Sequence, residues 1–208
     1  LNCNTPTIAL TGNGGATYSW ANGGTIISAT NTTTISSPGI YTLTAVGANG
    51  CIDTAQINIY QDITPPIAAI SSSAASNTLD CNTASITLTA GGGANYSWAN
   101  GATALGNANQ LVLSSAGTYT LTATGLNGCT DTANITINFV ANTTPTFNQI
   151  APICAGTNFA LPQNSLNGVL GTWSPAPDFN TTTTYTFTPN TGICANPVCM
   201  PIVLNPYP

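Results

Sequence analysis

No lysine, arginine, histidine or glutamate occurs in the 208 residues. Five aspartates (Asp53, Asp62, Asp80, Asp131 and Asp178) carry all the side-chain charge, and the formal net charge is −5. Charged residues make up 2% of the chain, against roughly 25% in an ordinary soluble domain. A chain without cations has nothing to neutralise phosphates, so nucleic-acid binding by counterion release is excluded. A polybasic membrane patch is excluded for the same reason. Without histidine or lysine there is no general base near neutrality, no Schiff base, and no Ser-His-Asp, Cys-His or zinc–histidine site. An enzyme is not expected, and no cofactor is implied. Lysine–asparagine isopeptide cross-links are ruled out too. No stretch approaches the eighteen or so apolar residues of a membrane span, so membrane insertion is not expected. No signal-type n-region and h-region opens the chain. Leu1 is not a start methionine, and the sequence reads as a mature or excised piece of something longer. No segment shows a helical period with caps.

What is present builds strands. Hydrophobic residues are 42%, with 20 glycines and 14 prolines, enough apolar content to fold and enough turn formers to divide it finely. Threonine (37) and asparagine (25) dominate the polar part. Short β-branched and aromatic runs between Gly/Asn clusters indicate an all-β class. Self-similarity is the strongest signal. Positions 3–61 superimpose on 81–139 without a gap, and more than half of the aligned positions are identical. Tyr18-Ser19-Trp20-Ala21-Asn22-Gly23 returns as Tyr96-Ser97-Trp98-Ala99-Asn100-Gly101, and Asn49-Gly50-Cys51 as Asn127-Gly128-Cys129. A diverged third copy keeps the landmarks Cys154, Trp173, Tyr185 and Cys194 in the same order. Trp173 and Tyr185 stand much closer together in sequence than Trp20 and Tyr41 do, so a strand or a long loop is missing from the middle of this copy. Three tandem domains are expected, over 1–64, 65–142 and 143–208.

Period-two alternation assigns faces within each repeat. Ile8 and Leu10 point one way; Tyr18 with Trp20, Tyr41 with Leu43 and Ala45, and Ala55 with Ile57 and Ile59 form the other inward sets. Six or seven strands at this spacing read as a small β-sandwich. The second repeat has an extra strand candidate, Pro66 to Ser73, ahead of Cys81. The first repeat has no counterpart, which leaves an edge open, trimmed away, or completed by another chain. Trp20, Trp98 and Trp173, with Tyr41, Tyr119 and Tyr185, are assigned to the cores rather than to sugar-stacking platforms.

Seven cysteines occupy 3, 51, 81, 129, 154, 194 and 199. Domains of this size are marginal without staples. The repeat suggests Cys3–Cys51 and Cys81–Cys129, which span equal stretches of chain. Cys154–Cys194 is the homologous third pair, with Cys154–Cys199 as competitor. Cys199 is left either as an intermolecular link or, the favoured reading, as a buried free thiol. No CxxC pair suggests a metal site. Disulfides imply an oxidising compartment. Calcium between domains, through Asp62 and Asp80, is a weak candidate because the carboxylates occur singly. Paired-carboxylate glycosidase chemistry has no support for the same reason.

The Cys–Trp–Tyr–Cys order invites comparison with immunoglobulin domains. In antibody domains, however, the second cysteine lies two residues after the tyrosine, and here it lies about ten later. The full pattern, Cys…Ile-x-Leu-Thr…Tyr-Ser-Trp…Tyr-Thr-Leu-Thr…Asn-Gly-Cys-x-Asp-Thr-Ala, resembles the Ig-like repeats of large Bacteroidota cell-surface adhesins. Those include SprB-like gliding-motility proteins and other type IX-secreted repeat proteins. The resemblance covers nearly the whole chain, and implies Ig-like sandwiches in extracellular, cell-surface arrays with adhesive or filament-forming roles. It carries no catalytic residues. The Asp-Thr-Ala triplets also match the O-glycosylation pattern of that phylum, which makes Thr54 and Thr132 candidate sites; the alternative is that they simply open a strand. Asn-x-Thr/Ser sequons at Asn31, Asn95, Asn134, Asn142 and Asn180 follow from composition. The expected function is a structural repeat segment of a surface adhesin or filament. Its expected partners are copies of itself or neighbouring repeats, through strand exchange or lateral association, since no edge lysine guards the strands. The absence of basic residues also removes every tryptic site, which suits a protease-resistant fibre. The alternative is an adhesive module that binds surface glycans.

Overall fold

The computed structural model describes residues 1–206 and is all-β in that range. In the first repeat, β2 (Thr17–Asn22), β3 (Thr25–Ser28), β5 (Gly39–Val46) and β6 (Ile52–Ile59) form a four-stranded sheet of order β3-β2-β5-β6. β1 (Ile8–Thr11) and β4 (Thr32–Ile35) form a separate antiparallel pair. The Gly23-Gly24 turn joins β2 to β3 with φ of 57° and 85°, a backbone region that glycine enters without steric penalty. Trp20 stands opposite Leu43 across the β2–β5 ladder. Leu10, Trp20, Ile35, Tyr41 and Ile59 form the core, with Leu1, Ile8 and Leu43 packed against it. Each such aliphatic side chain stabilises the fold by about 1.5–3 kcal/mol when fully buried. The Tyr41 hydroxyl donates to the Ser37 carbonyl at 2.8 Å.

The second repeat contains β7 (Ala69–Ser72), β8 (Thr78–Leu79), β9 (Ile86–Gly91), β10 (Asn95–Asn100), β11 (Thr103–Gly106), β12 (Gln110–Leu113), β13 (Gly117–Thr124) and β14 (Thr130–Phe139). Its two sheets run β11-β10-β13-β14-β8 and β12-β9-β7. β7 is thus the strand the first repeat lacks, and the consequences show in burial. Ile86, Leu88, Trp98, Leu121 and Ala123 are almost wholly enclosed, whereas the equivalent Ile8, Leu43 and Ala45 are only half-buried. The inward set expected in β6 is likewise incomplete. Ile59 is buried but Ile57 is 44% exposed, because the facing sheet has two strands and does not reach the β6 edge.

The third repeat contains β15 (Ile153–Cys154), β16 (Gly171–Ser174), β17 (Thr183–Pro189), β18 (Val198–Ile202) and β19 (Leu204–Asn205). β16-β17-β18 form an antiparallel sheet, and β15 pairs in parallel with β19. Tyr185, Phe187, Met200 and Ile202 are buried. Phe147 bridges Trp173 and Phe187, with centroid separations of 4.9 and 4.7 Å. Trp173 itself is only half-buried, so its expected place in the core is a place at the core's rim.

By compactness the chain divides into two units, and the division passes through the second repeat. One comprises 1–71, 88–111 and 118–135; the other comprises 72–87, 112–117 and 136–208.

Candidate functional site at the repeat junctions

The disulfides are not those expected from the repeat. Cys3 bonds Cys129, and Cys81 bonds Cys194, with Cα separations of 5.0 and 5.4 Å. Cys3–Cys51, Cys81–Cys129 and Cys154–Cys194 do not form, nor does Cys154–Cys199. Cys51, Cys154 and Cys199 are free and exposed, so the expectation that Cys199 is buried is overturned as well. In both bridges the opening cysteine of one repeat joins the closing cysteine of the next.

Strand length explains this stagger. The opening segment of each repeat lies beside the far end of the repeat's own last strand or the chain just after it. Asn2 pairs with Asp62, Leu79 with Phe139, and Cys154 with Asn205, all in parallel. The closing cysteine sits at the other end of that last strand, just before β6 at Cys51 and just before β14 at Cys129. Eight residues of strand span about 26 Å, while bridged Cα atoms lie within about 7 Å. An intradomain bond is therefore out of reach. Equal cysteine spacing in successive repeats fits either pairing; the length of the last strand is the signal that separates them.

The first junction lies within the first compact unit. The Cys3 amide donates to the Asn127 carbonyl at 3.0 Å, and the Asn2 side-chain oxygen accepts from the Asn4 and Thr5 amides at 3.0 and 2.7 Å. Asn127 is the hub. Its amide nitrogen donates to an Asp62 carboxylate oxygen at 3.0 Å and to the Thr64 carbonyl at 2.9 Å, while its oxygen accepts from the Cys129 amide. The Thr64 amide and the Asn127 side chain hold the Asp62 carboxyl below its ordinary value of 3.8. The connecting segment then continues across the second repeat, where the Ala68 amide donates to Asp131 at 2.9 Å. Two glycines make room, Gly92 for this segment and Gly128 for the opening segment of the first repeat. A Cβ on Gly92 would stand 1.7 Å from the Ile67 carbonyl oxygen, and one on Gly128 would stand 2.1 Å from Asn4.

The second junction lies within the second unit and repeats the plan with altered details. The Asp80 carboxylate replaces Asn2 as acceptor for the Asn82 and Thr83 amides, at 2.9 and 2.7 Å. Asn82 donates to the Gly192 carbonyl at 3.2 Å and to the Cys194 sulfur at 3.5 Å. The linker is held by Thr143 donating to the Cys194 carbonyl, and by Asn196 donating to the Thr143 carbonyl.

Most of the remaining candidates lie away from these junctions. Trp20, Trp98, Tyr41, Tyr119 and Tyr185 are buried. The Trp98 indole donates to the Ala108 carbonyl at 2.9 Å, whereas the Trp20 indole nitrogen is buried without a hydrogen bond. Trp20 borders a cleft of about 300 Å³ lined by Leu10, Leu43, Ala55 and Ile57, on the side of the sandwich that has no β7. Thr54 and Thr132 are exposed on the last strands of their repeats. Asp62 and Asp80 are engaged in the turn hydrogen bonds above. Among the described residues, no three His, Cys, Asp or Glu side chains gather as a metal site, and no helix is long and apolar enough to cross a membrane.

No protein-family model matches the sequence, and no curated protein matches it. Among solved structures, the chain is similar to an amphioxus IgVJ-C2 molecule (14% identity, 64% of this chain and 96% of the other, TM-score 0.32). It is also similar to fibronectin(III)-like modules of Clostridium thermocellum CbhA (15% identity, 64% and 86%, TM-score 0.35). A third similarity is to a 1.5-MDa bacterial ice-binding adhesin, described for its retention at the host cell surface (12% identity, 96% and 91%, TM-score 0.45).

Proposed function

We propose that this chain is a structural repeat segment of an extracellular surface adhesin or filament, in which covalent bridges carry tension from repeat to repeat. The observation that supports this reading is the stagger of the two disulfides. An intradomain bond protects one domain from unfolding. A bond from the opening of one repeat to the close of the next ties neighbours together whether or not either unfolds. The loops they close, 126 and 113 residues by sequence separation, overlap between Cys81 and Cys129. In the chain-entropy account each contributes about 5 kcal/mol to stability. The surface of threonine and asparagine suits a scaffold. Bridges that persist suit an oxidising, extracellular setting.

The test is mechanical. Pulled through its termini with both bridges intact, the chain lengthens between Cys3 and Cys194 only by the stretch from Cys81 to Cys129, the shortest covalent path between the bridges. Reduced, it releases everything from Cys3 to Cys194. From the reach of an extended backbone, the oxidised chain is about 500 Å shorter at full extension. Equal contour lengths in the two states would overturn the reading.

A further inference from the structure

The first repeat carries a junction surface on which, among the described residues, no connecting segment lies. In the second repeat the connecting segment lies over Gly92, Gly125, Asn127 and Asp131, and Cys129 receives the sulfur of the preceding repeat. The equivalent positions in the first repeat are Gly14, Gly47, Asn49, Asp53 and Cys51. They keep the same local geometry. Asn49 accepts from the Cys51 amide at 3.1 Å as Asn127 does from Cys129, and Gly47 donates to the Cys51 carbonyl at 2.8 Å as Gly125 does to Cys129. Gly50 and Gly128 share the left-handed turn, with φ of 80° and 76°.

What differs is occupancy. A Cβ on Gly14 or Gly50 would meet nothing within 4 Å, where Gly92 and Gly128 are covered. Among the described residues Asn49, unlike Asn127, donates to no linker, and Asp53 accepts from the Thr54 amide rather than from a connecting segment. The groove they border has a volume of about 290 Å³. Cys154 is presented as Cys3 and Cys81 are, in or beside a segment paired in parallel with the far end of the repeat's last strand or the chain just after it. It too is exposed and unbonded.

We infer that Cys51 and Cys154 are the two unpaired halves of one further junction, so that Cys154 of one copy bonds Cys51 of the next and copies join head to tail through this groove. The order follows the rule of the existing bridges, opening cysteine to the closing cysteine of the following repeat. It rests on the reading of the chain as a structural repeat segment. Because the two ends differ, the contact does not close on itself and propagates. The chemistry needs a disulfide oxidant such as oxidised glutathione. One cysteine thiolate attacks the oxidant's disulfide, releasing a thiol and leaving a mixed disulfide; the partner thiolate then displaces the second thiol. Two protein thiols are oxidised to one disulfide, and one oxidant disulfide is reduced to two thiols. The new link lacks one contact of the others: Asn4 and Asn82 follow the first two opening cysteines, whereas Ala155 follows Cys154.

The test is oxidation of the full chain by oxidised glutathione, read on non-reducing gels and by peptide mapping with a protease that cuts at aromatic residues. A ladder of oligomers whose cross-linked peptide joins Cys51 to Cys154 is expected. Cys51→Ser and Cys154→Ser proteins should each stay monomeric alone, and their equimolar mixture should stop at the dimer. Cys199→Ser should form the ladder unchanged. A monomer retaining three titratable thiols, an intrachain Cys51–Cys154 bond, or cross-links through Cys199 or between like cysteines would overturn the inference. None of these outcomes bears on the contour-length difference, so the two readings fail separately.

Discussion

Two glycines in identical turns show how residue roles depend on what is seated above them. Gly14 and Gly92 are repeat equivalents with φ of 87° and 89°. Replacing Gly14 with alanine costs the strain of a left-handed non-glycine residue, about 1–2 kcal/mol. At Gly92 the same methyl group meets backbone at 1.7 Å, and the carbonyl of Ile67 has no flexible end to move aside. Gly92→Ala should therefore destabilise by on the order of 4 kcal/mol or more, and Gly14→Ala by less than half of that, in denaturant unfolding of the oxidised protein. Equal costs would mean that the connecting segment is not fixed over Gly92. Asn49 and Asn127 make the same point by hydrogen bonding: the side chain is one, and only the second finds a linker.

At the scale of elements, the missing strand decides how well the first repeat is built. β1 and β4 make a two-stranded sheet, while β12-β9-β7 make three. The cleft beside Trp20 and the exposed Ile57 lie on the side left open. Leu79 is the equivalent of Leu1, so residues 66–78 placed ahead of Leu1 would enter in the register they hold in the second repeat. That addition should raise stability by about 2 kcal/mol, the worth of burying one more large aliphatic side chain, and slow amide exchange along β1. Unchanged exchange in β1 would show that the edge does not accept a strand. A related lesson concerns β6. Its alternation predicts three inward residues, but alternation says which face a side chain is on, not whether another sheet covers that face.

For the molecule as a whole, one sign of charge sets the response to pH. Two carboxyls are held below the ordinary 3.8, Asp62 by the Thr64 amide and Asn127, and Asp178 by the Thr181 hydroxyl and the Asn180 amide. A depressed native value gives stability that is present above the unfolded value near 3.8 and lost as pH falls through the native one. Thermal stability should thus be flat from neutrality to about pH 5 and decline below about pH 4, with a shallower decline in the Asp62→Asn, Asp178→Asn double variant. A decline that begins near pH 6 would contradict that account. Protonation of Asp62 and Asp178 over the same range also removes part of the repulsion that keeps copies apart, so light scattering should rise as stability falls.

Composition and local periodicity determined the all-β class, the absence of cationic side chains and the duplication of residues 3–61 at 81–139, because these depend on residue type and near neighbours alone. The buried aromatics Trp20, Trp98, Tyr41, Tyr119 and Tyr185 were legible for the same reason, since their alternation places them inward whatever surrounds the repeat. The cysteine pairing was not legible. In a tandem array every opening cysteine has two equivalent closing partners in sequence, its own and its neighbour's. Only the tertiary structure, by laying each opening segment at the far end of its own last strand, puts one partner a strand's length away and the other within bonding distance.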